Sequence, residues 1–447
     1  MNQGLTPVAE PSRNTPLYGE FDVVVLGGGP AGIAAAASAA RNGAQTLLIE
    51  RYGFLGGMGT AAGVTNFCGL HANVGGEHRQ VVHGVADELL ERMRALDGLN
   101  DPHLVLGRIH AQAYDVPAYK CAADALLADA GAKVLFHALG AGVAAVPSGI
   151  DCLLLETRSG RQAVRAMAFI DCSGDGDLAF WSGAPTEKGD SSGALLYPTL
   201  MFRVGGVDNE RAGEAWRSIP ALMDAAERSG EFRFPRKGAI VRPQKHAGEW
   251  RVNVTQLRNA DGSAVDGTDA SALSAAESEG RRQAVEYLRF LRAQVVGFEE
   301  AYILDLAPQV GIRETRRLAG KYQLTREDVL GCASFDDSIG VNGWPIENHV
   351  AGDVRWEWPA EGSRGYNQLP FRMLQPRSGP QNLLVAGRCA SMTHEGQSAA
   401  RVSGACFVMG QAAGTAAALS MRGDIAPRDL PYLELKVSLE RDGVFLG

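Results

Sequence analysis

Gly27-Gly28-Gly29-Pro30-Ala31-Gly32 sets glycines in the spacing G-x-G-x-x-G, and an acid, Glu50, follows about twenty residues past them. In that spacing Gly27 allows a tight turn out of a strand, Gly29 lets the main chain approach a pyrophosphate, and Gly32 lets a helix pack close to a sheet. A carboxylate at Glu50, followed by Arg51, is placed to accept hydrogen bonds from a ribose. The chemistry implied is recognition of a dinucleotide.

Other residues could move protons or hold charge. His349 and His394 lie in Gly- or Pro-flanked stretches and are the candidate acids or bases. Arg401 stands at the start of a small-residue helix, where it would add to the positive end of the dipole near Ala400 to Val402. Arg313, Glu314, Arg316 and Arg317 crowd into a frame of Val310, Ile312 and Leu318. As a strand, this segment would put Arg313 and Arg317 on one face and Glu314 and Arg316 on the other. A guanidinium fork suits a carboxylate, so the set reads either as a clamp for an acidic substrate or as an internal Glu–Arg pair at a domain interface.

The elements that must position these groups follow from pattern. Val23 to Leu26 is a short apolar run of the kind that forms a buried parallel strand. A helix over 34–42 and a second strand over 46–49 complete a βαβ unit. The glycine-rich loop 53–63, which holds Gly56, Gly57 and Met58, is expected to lie with its backbone against the ligand. Helices are expected over 82–97 and 116–130, and strands over 133–136, 152–156 and 166–171, with a hairpin turn at Ser159-Gly160. The last strand empties into Cys172-Ser173-Gly174-Asp175-Gly176-Asp177, the layout of a cofactor-contacting turn at the carboxyl end of a parallel sheet. From about 186 to 375 tryptophan and charge increase and strand-like alternation appears over 200–204 and 250–255, with a long helix from about 272 to 296. A strand over 382–387 and a helix over 402–419 return the chain to the first unit.

Composition bounds the rest. The 447 residues include 45% hydrophobic and 21% charged side chains, as in an ordinary globular protein, and the net charge of −8 gives no basic footprint for nucleic acid. No apolar run reaches the ~20 residues of a membrane span. The seven cysteines are scattered, with no pair spaced for zinc, an iron–sulfur cluster or a redox disulfide, so no metal is expected and a reducing, cytoplasmic setting is. The first twenty residues lack a signal-peptide pattern and read as a flexible leader.

The glycine fingerprint, the GGMGT loop, the IDCSGDGD turn and the LLVAGR segment together resemble FAD-dependent oxidoreductases of the two-dinucleotide-binding-domain superfamily, in the branch of fumarate reductase flavoproteins and thiazole synthases. RVNVTQL (251–257), VGIRETRRLAGKYQLTREDVLG (310–331), WPIENH (344–349) and YNQLPFRMLQPRSGPQNLLVAGRCAS (366–391) match a bacterial group within it. The resemblance implies an α/β fold: a Rossmann-like, glutathione-reductase-like FAD-binding domain over 21–185 and 376–447, with an α+β substrate or cap domain on a mixed sheet inserted over 186–375. It implies FAD held at its pyrophosphate by Gly27, Gly29 and Gly32 and at its ribose by Glu50. Gly56, Gly57 and Met58 would line the flavin side, the loop near Val143 would reach the adenine, Gly387 and Arg388 would lie at the ribitol, and Ala400 to Val402 would face the flavin's pyrimidine end. Gly56-Gly57 stands where fumarate reductase flavoproteins carry a covalently linking histidine, so FAD is expected to be noncovalent, with a thioether to Cys68 left open.

The expected activity is hydride transfer between a small polar substrate and flavin, in a dehydrogenase or oxidase with an unspecified electron acceptor. The alternatives are a reductase of an activated C=C bond and an FAD-bearing subunit without independent turnover. Homo-oligomerisation is left open.

Overall fold

The computed structural model of the protein describes residues 8–447, and residues 1–7 of the expected leader lie outside the described chain. The first strand, β1 (Leu17–Leu26), begins inside that leader, because Leu17 to Glu20 pair in parallel with residues 163–165. It leads into α1 (Pro30–Arg41), which has Pro at its first position and alanine on nearly every face. β2 (Thr46–Ile49) follows, fully buried. α2 (Val116–Ala130) is capped by the Asp115 carboxylate, which accepts from the Ala118 amide, and stops at the left-handed Gly131. Three antiparallel strands, β4 (Leu139–Val146), β5 (Gly149–Thr157) and β6 (Gly160–Asp171), come after the short parallel β3 (Lys133–Leu135). β4 was not expected from the sequence; its half-exposed LGAGVAAV has too little alternation to signal a strand.

The inserted part is built on β7 (Phe202–Gly205), β8 (Ile240–Pro243), β9 (Trp250–Asn253) and β10 (Tyr302–Leu306), in the order β8-β9-β7-β10. All three pairings are antiparallel, so the mixed sheet expected there is not formed. α3 (Ala270–Gln294) covers it, burying Ala276, Ala284, Tyr287, Phe290 and Leu291, while Leu288 is only partly covered. The second core ends at Ile312. Residues from Leu324 to Leu374, expected within the inserted domain, pack into the first core instead, because they cover an apolar helix there.

The chain re-enters the large sheet with β12 (Leu383–Val385), parallel to β6, after β11 (Ile346–Val350) has formed a hairpin with residues 353–357. The large sheet is seven-stranded, with β1 between β2 and β6. α4 (His394–Ala400) and α5 (Ser403–Arg422) close the fold. α5 is the helix expected over 402–419, and α4, set apart from it by Arg401 and Val402, was not expected. α5 lies directly on α1: a Cβ on Gly410 or Gly414 would stand 2.0 Å from the carbonyl oxygen of Ala31 or Ala35. Main chain meets main chain there, which is why both helices are so poor in bulk. Against expectation, α5 is long and apolar enough by composition to cross a membrane, but 89% of its most apolar stretch is buried in this fold, as suits a core helix.

A histidine cluster beside the first core makes stability depend on pH. His78 and His110 stack at 4.2 Å between ring centroids, and His71 meets His110 edge-on at 5.8 Å. Burial, then the neighbouring His110, His78 and His83, push His71 down from 6.5 to about 4. The unfolded chain therefore takes up a proton near 6.5 that the folded one refuses until about 4. The His71 contribution is complete above the unfolded value and is lost as pH falls below it. Urea melts at pH 7 and pH 5 should show a loss on the order of 1 kcal/mol from this site after screening is allowed for; equal midpoints would contradict it.

Candidate functional site

One cavity of about 530 Å³ runs from the turn after β1 into the inserted part. Its outer end is lined by Gly27, Gly29, Pro30, Ala31, Glu50, Arg51, Gly57, Met58, Ser173, Gly174, Gly387 and Arg388. α1 starts on Gly29 with no side-chain cap and no acid in its first turn, so its leading amides are left for a ligand anion. Two glycine backbones abut beside it: a Cβ on Gly57, whose φ is +53°, would lie 2.7 Å from the Gly29 Cα. Gly32 does not line the cavity; a Cβ there would stand 1.8 Å from the Gly27 carbonyl oxygen, so its part is to close helix onto turn.

The Glu50 carboxylate is 5% exposed and already accepts from the Gly28 amide at 2.7 Å and the Tyr52 amide at 2.9 Å. It ties the glycine turn to the end of β2 and keeps lone pairs for a hydroxyl. Burial raises it above the ordinary carboxylate range, while the amides and Arg51 oppose that.

Deeper in, Arg313, Glu347, His349 and Arg401 line the same cavity. His349 Nε2 lies 3.0 Å from Glu347 Oε1, and Trp344 Nε1 donates to Glu347 Oε2 at 3.0 Å. Burial first, then Arg313, hold His349 well below its usual value, so it is neutral at pH 7. Glu347 is held down at about 2: burial raises it, and the opposing His349, Arg401 and Arg313 outweigh that. Nε2–H donating to Glu347 fixes a tautomer whose Nδ1 can accept a proton. Arg313 Nη1 donates to the Tyr197 carbonyl at 2.8 Å and to Thr199 Oγ1 at 2.7 Å. Arg401 Nη2 reaches only the Glu347 carbonyl, at 3.4 Å, and its buried Nε has no partner among the described residues.

A family model described as FAD dependent oxidoreductase matches residues 22–439. The chain belongs to that family. Over 120 residues it is 38% identical to the thiamine thiazole synthase of Methanococcus vannielii, a match covering 26% of this chain and 38% of that protein. It is 35% identical over 117 residues to the thiamine thiazole synthase of Sulfolobus acidocaldarius, covering 26% and 37%. The match thus spans little more than a third of those relatives' length. Among solved structures, it is similar to a geranylgeranyl bacteriochlorophyll reductase-like protein from Thermoplasma acidophilum (14% identity, 94% of this chain and 83% of that one, TM-score 0.47). It is also similar to a p-nitrophenol 4-monooxygenase from Pseudomonas putida (12% identity, 96% and 89%, TM-score 0.46).

FAD is the cofactor of this oxidoreductase, and the residues present fit it. The uncapped start of α1, the facing glycine backbones and Glu50 offer donors and acceptors in the order a dinucleotide needs. The start of α5, on Val402, is likewise uncapped and lines the cavity with Arg401 and Ser403.

Several expected site residues stand elsewhere. His394 is the first residue of α4 and does not line the cavity; its Nδ1 lies 2.9 Å from Glu314 Oε2, and burial lowers its pKa. Neither histidine is in a loop, since His349 lies in β11. Arg316 does not line the cavity: Nε donates to the Asp175 carbonyl at 2.8 Å, the guanidinium pairs with Asp177, and it covers the Phe180 ring at 4.4 Å. Residues 310–316 form no strand, so the expected alternation of faces fails; Glu314 and Arg317 are instead a buried ion pair. Asp175 is turned onto Arg388, with Oδ1 3.0 Å from Nη2, and does not line the cavity. Val143 and Gly56 also stay out of it, and Ala138 to Gly140 take the place expected for Val143. Ala400 ends α4 rather than opening α5, and Arg401 is the C-cap of α4, where a cation is favoured.

Cys68 does line the cavity, and its thiol is pushed up to about 12, chiefly by burial. A protonated thiol is a poor nucleophile, which weighs against a thioether. All seven cysteines are free. Among the described residues no group of three or more His, Cys, Asp or Glu is placed to hold a metal ion.

Sequence reasoning missed Trp216, Arg242, Arg251, Glu347 and Trp356, all of which line the cavity. Arg251, Glu347 and Trp344 lay in RVNVTQL and WPIENH, segments noted for resemblance alone. Burial pushes Asp177 up to about 7, helped by Asp171 and Asp175.

Proposed function

We propose that this flavoprotein is a dehydrogenase or oxidase that takes a hydride from a small carboxylate-bearing organic substrate. The observation that carries the reading is the continuity of one cavity from the dinucleotide cradle to the His349–Glu347 pair. Bound FAD supplies the hydride acceptor. The amides at the start of α1, approached across Gly27 and Gly29, hold the pyrophosphate, and Glu50 holds the ribose. Gly57, Met58, Gly387 and Arg388 flank the cofactor, with Ser173 and Gly174 on the opposite turn. His349 Nδ1 accepts the substrate's proton, Glu347 orients the ring, and Arg401 with the start of α5 would supply positive charge to the cofactor. Arg313 adds a guanidinium fork beside His349. Seven free cysteines favour a reducing compartment.

The test is an anaerobic screen of hydroxy and amino acids against the FAD-loaded protein, watching loss of the oxidised flavin absorption. At least one donor should bleach the wild type, and His349→Ala should slow that bleaching by 10²–10⁴-fold, the usual worth of a general base. A bleaching rate unchanged in His349→Ala removes His349 from the mechanism.

A further inference from the structure

Three arginines stand side by side across the inserted sheet. Arg203 on β7 is paired in register with Arg251 on β9, and Arg251 with Arg242 on β8, so all three share one face. Like charges directly opposite one another destabilise a sheet unless something offsets them. Arg203 is offset: its guanidinium contacts Asp305 at 2.6 Å and Glu249 at 3.0 Å. Among the described residues neither Arg251 nor Arg242 has a carboxylate partner.

Arg251 is 5% exposed and lines the cavity. It donates to the Val64 carbonyl, its Nη2 lies 3.1 Å from the Asn66 side-chain amide, and its Nε has no partner. Arg242 lines the cavity beside it, donates only to the Val241 carbonyl at 3.0 Å, and lies 5.4 Å from the Trp216 ring centre. His103, which lines this end too, is pushed down to about 4 by burial and by Arg251 and Arg242, so it is neutral at pH 7. Glu347 spends its hydrogen bonds on Trp344 and His349 and acts on Arg251 through its charge alone, while Asp353 accepts from the Val354 amide at 2.8 Å; neither forms an ion pair with Arg242 or Arg251. A buried guanidinium without an ion-pair partner, as at Arg251, is costly, and the half-buried Arg242 beside it adds like-charge repulsion. Met201, Ile240, Trp344 and Trp356 give the cavity an apolar wall.

We infer that Arg242 and Arg251 form the subsite for the substrate's carboxylate, and that the substrate is an organic acid with an apolar body spanning from this pair toward His349. The inference rests on the proposed function for its direction, since His349 defines the reacting end. It moves the anion anchor from Arg313 to this pair on the inserted sheet. Two forks side by side suit a planar carboxylate, which each can grip through paired N–H donors.

Isothermal titration of the FAD-loaded protein and of the FAD-stripped protein with benzoate tests this, with phenyl phosphate as the second probe. Wild type should bind benzoate saturably and more tightly than phenyl phosphate. Arg242→Gln and Arg251→Lys should each weaken benzoate at least tenfold, with FAD content and circular dichroism unchanged, while Arg289→Gln on the exposed face of α3 should bind as wild type. Arg242→Gln carries the test should Arg251→Lys not fold. Absence of benzoate binding to a protein that holds reducible FAD, tighter binding of phenyl phosphate, or a wild-type affinity in Arg242→Gln would each overturn the subsite and leave the proposed function standing. Arg242-dependent benzoate binding in a protein that no donor reduces would support the subsite and overturn the proposed function.

Discussion

Gly29→Ala should purify as a folded protein stripped of its yellow colour. The residue has an ordinary φ of −76° and an added Cβ would meet nothing closer than the Gly57 Cα at 3.7 Å, so the fold has room for it. What the methyl group takes is the space through which a pyrophosphate reaches the first amides of α1. Losing one or more hydrogen bonds to a charged group costs about 1.5–3 kcal/mol each, a factor of ten to a hundred or more in affinity. The FAD-to-protein ratio and the flavin Kd measure this, with circular dichroism unchanged. Gly32→Ala, three residues on, should behave differently. Its Cβ would be forced to within 1.8 Å of the Gly27 carbonyl oxygen, so that variant should lose stability as well as FAD. If Gly29→Ala keeps a full complement of tightly held FAD, the glycine turn is not the pyrophosphate site.

The largest effect on stability is expected at Glu314. Its carboxylate is fully buried, pairs with Arg317, accepts from the Leu196 amide at 2.9 Å and faces His394 Nδ1 at 2.9 Å. Arg317 in turn donates to the Gly189 carbonyl at 2.8 Å and the Met392 carbonyl at 2.9 Å. One ion pair therefore ties the loop before the inserted part to the segment that begins α4. Glu314→Ala would leave the 3%-exposed Arg317 side chain charged, buried and unpaired, a change that costs about 3–5 kcal/mol. Urea denaturation should show that loss. Replacing both partners, Glu314→Leu with Arg317→Met, should recover much of it, because an apolar pair of similar volume removes the desolvation cost along with the attraction. A double variant no more stable than Glu314→Ala would mean that the bonds to Leu196, Gly189 and Met392 carry the stabilisation.

The nucleotide end of the site was legible because its logic is local. Turn, helix start and acid lie within the first crossover, and glycine is required there for reasons that a few neighbouring residues contain: the close approach at Gly32, the facing backbones at Gly29 and Gly57. The fold class followed from the same unit together with the resemblance of the remaining segments. The helix over 402–419 was expected to return to the first unit, and it packs directly on α1.

The inner end was not legible in this way. His394 and His349 looked alike as residues in a string, yet one faces Glu314 outside the cavity while the other is held by Glu347 within it. Arg313, Arg316 and Arg317 differ just as much: one lines the cavity, one braces the Asp175–Asp177 turn, and one is buried in an ion pair. Arg242 and Arg251 carried no signal, since arginine in a strand ordinarily marks the solvent face. Their meaning depends on Arg203 taking the carboxylates and leaving its neighbours without any.

The sequence by itself determined that a strand, a glycine turn and a helix start would present main-chain donors to a dinucleotide, since those requirements are met by residues adjacent along the chain. Tertiary structure alone decided which charges face the cavity and which are consumed in pairing. A charged side chain's role depends on whether a counter-charge lies within a few ångströms, and here those counter-charges come from segments distant in the chain.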